Sequence, residues 1–222
     1  MSIGRLFGRQ PRTMRGHEKA IERWRALPAA PLRIPLRDAR LVAVDVEVSG
    51  LDARHDRVTG VGAVVLHDGR IDMTDLFHLP VLQPGEEPNP GKGEHRSPMD
   101  RAAALLGFVG RSVLVTYNAP FVRLMLNRFL REAGAPPLDQ PWIDLAWMLP
   151  DLMGREFSER TTFEEWQRLL GIYSSARHHG LADAFAIAQI TLVALARAED
   201  AGYQSVEGLM SAETYRRRIR GE

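Results

Sequence analysis

The chain has 222 residues, 45% of them hydrophobic and 26% charged, with a formal net charge of +1 and no cysteine. That length can bury one substantial α/β core with extensions, and the missing cysteines exclude disulfides and thiolate metal sites and fit a reducing cytoplasm. A Walker loop, a dinucleotide glycine fingerprint and a nucleophile elbow are all missing from the sequence, which removes the usual signatures of those chemistries.

The near-zero charge hides an asymmetry. Residues 1–40 carry ten Lys or Arg against three acids, and residues 213–222 carry four Arg against two Glu, which leaves the centre net acidic. Residues 1–39 read as a basic extension without the apolar core of a secretory signal. Within it, Ile21, Trp24 and Leu27 fall at helical spacing, so a helix over 18–27 is expected to pack on the core or on a partner.

Leu41-Val42-Ala43-Val44 has the length and β-branched character of a buried strand, and Asp45 and Glu47 close it. Side chains alternate along a strand, so both carboxylates share one face and Val46 takes the other. Two carboxylates so placed repel unless a cation lies between them, and hard oxygen donors suit Mg2+ or Mn2+. A strand end whose acids are merely solvated is the alternative. Ser49-Gly50-Leu51 then makes a turn, Val58–Leu66 a second strand, and His67-Asp68-Gly69-Arg70 a tight hairpin into a third. Gln83–Arg96 is rich in Pro and Gly and reads as a loop, followed by a helix near Met99.

Leu114-Val115-Thr116 is a short strand, and Tyr117-Asn118-Ala119-Pro120-Phe121-Val122 leads into an amphipathic helix over 123–134. Asp144 stands where it can serve a helix dipole or support a cation, with the dipole role favoured. Trp142, Trp147 and Trp166 read as core residues, and Thr161-Thr162-Phe163-Glu164 as a capping box with Glu164 as its acid. Near the end, His178 precedes Asp183 by five residues, just ahead of the Ala-rich apolar stretch Phe185–Ala196. That stretch is too short to span a bilayer and reads as a buried helix. His179 competes with His178 for attention, because it stands four residues before Asp183 and could form an ordinary helical pair. Residues 199–222 form a helical, basic tail.

Asp45-Val46-Glu47-Val48-Ser49-Gly50-Leu51 and His178-x4-Asp183 resemble the first and last motifs of the DnaQ-like, DEDDh-type 3'-5' exonucleases, which include the bacterial DNA polymerase III epsilon-like proteins. The resemblance covers about residues 40–198 and implies a ribonuclease-H-like α/β fold, with a mixed sheet that opens on three antiparallel strands and is flanked by helices. It implies Asp45, Glu47 and Asp183 as ligands of Mg2+ or Mn2+ and His178 as the general base. It also places Gly50 and Leu51 beside the terminal nucleotide, with Asn118 as a further polar contact. In the family's second motif the chain departs from the pattern: Val122 stands at the position of an acid and Tyr117 at that of a histidine.

The function implied is a metal-dependent 3'-5' exonuclease acting on single-stranded DNA or RNA 3' ends. A two-metal phosphoryl-transfer site would lose an anchor at Val122, so cleavage would be impaired. A weakened relative that only binds nucleic acid, nucleotide or protein is the competing reading, and a polymerase proofreading subunit rests on fold analogy alone. Protein partners would engage the N-terminal helix or the C-terminal tail, and no membrane is implied.

Overall fold

The computed structural model describes residues 16–50, 52, 54–81, 97–154, 157–158, 160–173 and 179–221. Helix α1 (Gly16–Ala26) precedes a single 3-10 turn at Leu36–Asp38 and the strands β1 (Leu41–Val48), β2 (Val58–His67) and β3 (Arg70–Pro80). Helix α2 (Pro98–Val109), strand β4 (Val113–Thr116), helix α3 (Ala119–Glu132), strand β5 (Trp142–Asp144) and helix α4 (Leu145–Met153) follow. Helices α5 (Phe163–Leu170), α6 (Gly180–Asp200) and α7 (Val206–Arg220) complete the described chain. The predicted loop over 83–96 lies outside the described residues.

The five strands form one sheet in the order β3-β2-β1-β4-β5. The first three pair antiparallel, and β4 and β5 join in parallel, so the mixed sheet expected from the sequence is the one adopted. The hairpin between β2 and β3 turns on Asp68 and Gly69, at φ 53° and 67°. Two positive φ values give the turn whose twist matches the flanking strands, which explains why Asp-Gly stands there.

Strand alternation divides the core into two layers. Val42, Val44 and Val46 belong to a cluster that includes Ile21 and Trp24 of α1, Leu105 and Leu106 of α2, and Met125 and Leu126 of α3. Leu41 and Ala43 belong to the opposite cluster, with Met148 of α4, Trp166 of α5, Ile187 and Ile190 of α6 and Leu209 of α7. Helix α6 is longer than the apolar stretch suggests, running from Gly180 to Asp200. By length and composition alone it could cross a membrane. Its alanine and isoleucine face is instead buried against β1 and β2, as a core helix requires.

Trp24 anchors α1 by donating its indole N–H to the Gly110 carbonyl at 2.7 Å, while Leu27, just beyond the helix end, is exposed. Trp142, Trp147 and Trp166 are all buried, as core residues. The capping box forms one residue later than the sequence suggests. Because α5 starts at Phe163, Thr162 is the N-cap, and the third helical position that must answer it is Glu165, not Glu164. The basic ends bind much of their charge internally: Arg33 pairs with Glu207, Arg37 with Glu199 and Arg216 with Asp151. The remaining arginines of residues 1–15 lie outside the described residues.

Candidate active site

Asp45 and Glu47 end β1 on the face that carries α6, each opposite a glycine of β2. Asp45 pairs with Gly62 and Glu47 with Gly60. A Cβ on Gly62 would collide with the backbone of Gly180 and Leu181, and one on Gly60 would fall 2.7 Å from the Glu47 carboxyl carbon. The bare position at Gly62 therefore lets the start of α6 settle directly on β2, and the one at Gly60 makes room for the Glu47 carboxylate. The contact is fixed by the Gly180 N–H, which donates to Glu47 Oε1 at 2.6 Å. This docking carries Asp183, in the first turn of α6, to Asp45 from a point 138 positions along the chain.

The consequence is electrostatic. Burial first, then the charge of Asp183 and that of Glu47, push the Asp45 carboxyl up to about 7, against the opposing pull of a Val46 backbone hydrogen bond. Among the described residues, no lysine or arginine forms an ion pair with Asp45 or Glu47. The donor set is three carboxylates, half-buried and crowded. Such a set fits a hard divalent cation such as Mg2+ or Mn2+.

Two histidines complete the surroundings: His179, weighed in the sequence against His178, and His78, which the sequence did not bring forward. His78 of β3 pairs across from Gly62, so Asp45, Gly62 and His78 form a row across three strands on one face. Its Nε2 lies 3.7 Å from Glu47 Oε1, and its ring stacks on that of His179 at 4.6 Å between centroids. His179 is the N-cap residue of α6, and its side chain makes no capping bond there. The i,i+4 relation expected between His179 and Asp183 is met by the backbone, Asp183 N–H to His179 carbonyl at 3.1 Å, while the imidazole turns to His78. The Gly60-x-Gly62 spacing, read against the acids across the hairpin, was the available signal for this site. His78 was harder to find, because an irregularity between Val64 and Leu66 shifts the register of β3.

His178 and Leu51 lie outside the described residues. Gly50 sits in a tight turn, with the Asp56 carboxylate 2.6 Å from where a Cβ would stand, and Ser49 Oγ donating to Asp56 at 2.8 Å. Asn118 is exposed at the start of α3 in a left-handed conformation, and its backbone N–H donates to Asp144 Oδ1 at 2.9 Å. Val122 is buried in the core cluster of Val46 and Val58, on the other side of the sheet from Leu41 and Ala43. Tyr117 donates its hydroxyl to the Thr161 carbonyl, and burial, followed by the Asp144 charge, pushes its phenol up to about 12.

Asp144 is occupied differently. It is almost fully buried, caps α4 by accepting the Ala146 N–H at 3.1 Å, and forms an ion pair with Arg217 at 2.7 Å. Arg217 also holds Glu213 at 3.0 Å and lies 4.7 Å over the Trp147 ring. A carboxylate so engaged has a structural role, the helix-terminal reading that the sequence favoured.

No family model matches the chain. The DNA polymerase III PolC-type proteins of Thermotoga petrophila and Thermotoga maritima are each 28% identical to it over 167 residues, which is 70% of this chain and 12% of those proteins. Escherichia coli exonuclease I, solved in complex with a dT13 oligonucleotide, superposes with a TM-score of 0.58 at 15% identity, over 73% of this chain and 42% of that one. The chain is related to the DnaQ-like 3'-5' exonucleases. Its ribonuclease-H-like fold is theirs. The chain spans only a small part of the curated polymerases it matches and under half of exonuclease I.

Proposed function

We propose that this chain is a metal-dependent 3'-5' exonuclease-type protein that hydrolyses phosphodiester bonds at single-stranded 3' ends. The observation that carries the reading is the meeting of Asp45, Glu47 and Asp183 over two bare glycine positions, with no lysine or arginine of the described residues paired to Asp45 or Glu47. A bound divalent cation would supply Lewis-acid activation of water and neutralise charge developing on the phosphoryl oxygens. Asp45 and Asp183 would hold it, and Glu47 is oriented for the same task by the Gly180 N–H. His178, five residues before Asp183, would accept the proton of the attacking water. Gly50 and Leu51 would line the terminal nucleotide, with Asn118 exposed nearby in sequence to the second motif. Single-stranded DNA is the favoured substrate, since exonuclease I was solved with such an oligonucleotide. The missing cysteines favour a cytoplasmic setting.

Val122 favours a second reading, in which the site binds nucleic acid but cleaves slowly. An apolar, buried side chain at the second-motif position offers no oxygen for a cation. The two readings separate in one assay, with 3'-labelled single strands and Mg2+ or Mn2+ added to the parent, Asp45→Ala and Val122→Asp. The exonuclease reading expects metal-dependent shortening by the parent and a loss of about a hundredfold or more in Asp45→Ala. An inactive parent beside an active Val122→Asp would sink it in favour of the weakened site.

A further inference from the structure

The stacked histidines beside Glu47 have no part in the carboxylate chemistry above. We propose that Glu47, His78 and His179 form a site for a borderline transition metal, with Zn2+ as its occupant, which shares Glu47 with the acidic site. Their donor atoms all lie within 4.8 Å of one another, and Glu47 Oε1 to His78 Nε2 is 3.7 Å. Tetrahedral Zn2+ places its nitrogen and oxygen donors roughly 3.3 Å apart, so small rotations of partly exposed side chains close the set.

The three backbones are held independently of any metal. Glu47 is on β1, His78 is two strands away across Gly62, and His179 is fixed over them by the docking of α6. The Gly180 N–H bond to Glu47 Oε1 is the outer-sphere contact that orients a ligating carboxylate. Two imidazoles and one carboxylate prefer Zn2+ to Mg2+, which favours all-oxygen surroundings. Three protein ligands leave a fourth position open, the arrangement that admits water or a phosphate oxygen.

Sharing Glu47 has a regulatory consequence: a filled nitrogen site draws that carboxylate from Asp45 and Asp183, so Zn2+ inhibits cleavage supported by Mg2+. This consequence rests on the exonuclease reading, whereas the binding does not. Calorimetric titration of the whole chain with Zn2+ alone tests the binding, using the parent, His78→Gln, His179→Gln, the double variant and Asp45→Asn. Uptake of one Zn2+ by the parent is expected, weakened by about tenfold or more in each histidine variant, lost in the double variant and retained in Asp45→Asn.

X-ray absorption at the zinc edge of the parent, which needs no variant to fold, should count two imidazole ligands. An all-oxygen shell, no uptake by the parent, or Zn2+ affinity indifferent to both histidines would overturn the proposal. Zn2+ uptake as expected in a chain with no nuclease activity would remove the exonuclease reading and leave the metal site standing. Metal-dependent cleavage with uptake indifferent to His78 and His179 would do the reverse.

Discussion

Two groups of acids sit at strand ends in this sheet, and the chain treats them in opposite ways. At the end of β5, Asp144 and its neighbour Glu213 are met by Arg217, which is itself steadied over Trp147. At the end of β1, Asp45 faces Asp183 and Glu47, and Asp45 is pushed up to about 7. The first group supplies its own cation from α7 and ties the C-terminal helix to the sheet. In the second, no lysine or arginine of the described residues pairs with Asp45 or Glu47, and the crowding, costly for folding, is intelligible if a cation comes from solvent.

The largest effect should come from Gly62→Ala, which forces α6 off β2. It is expected to cost roughly 3 kcal/mol or more in denaturant unfolding and to separate Asp183 from Asp45, while leaving the Asp144 group in place. Arg217→Met attacks the compensated group instead. It should cost about 2–3 kcal/mol, less than a fully buried pair would, because the arginine is partly exposed while Asp144 is not. A loss under about 0.5 kcal/mol would mean that Arg217 is an ordinary surface partner.

Asp45→Asn should act in the opposite direction. A carboxyl raised to about 7 in the fold, against about 4 when unfolded, stays protonated in the folded chain while the unfolded one ionises. Stability of the metal-free protein therefore falls as pH rises from about 4 to about 7 and is level above that. Asparagine imitates the neutral acid, so the variant should gain about 1–2 kcal/mol at pH about 8 and little at pH about 4, while losing metal-dependent cleavage. The smallest effect belongs to Arg33→Ala, whose exposed pair with Glu207 should contribute under about 0.5 kcal/mol, measured by the same unfolding curves.

Much of this was legible in the chain because the signals are local. Alternation put Asp45 and Glu47 on one face, Asp68-Gly69 announced the hairpin, and the Ala-rich stretch announced α6. What stayed hidden depends on register or on distance. His78 joins the row of Asp45 only after the β3 register shifts between Val64 and Leu66. The Arg217 partner of Asp144 is 73 positions away on a helix whose packing no local pattern reveals. Val122 was read as an absent ligand, yet its neighbours make it a core residue as well. Val122→Asp should therefore destabilise the fold by about 1–3 kcal/mol, whatever it does to cleavage.

The central claim is that the Asp45 group is built to hold a bound divalent cation. It is tested most directly by the unfolding free energy of the parent and of Asp45→Asn from pH about 4 to about 8, without metal and with saturating Mn2+. The parent should lose stability relative to the variant as pH rises toward about 7 without metal, and Mn2+ should reverse that loss in the parent alone. A difference between the two proteins that is flat with pH, or a parent indifferent to Mn2+, would contradict the account.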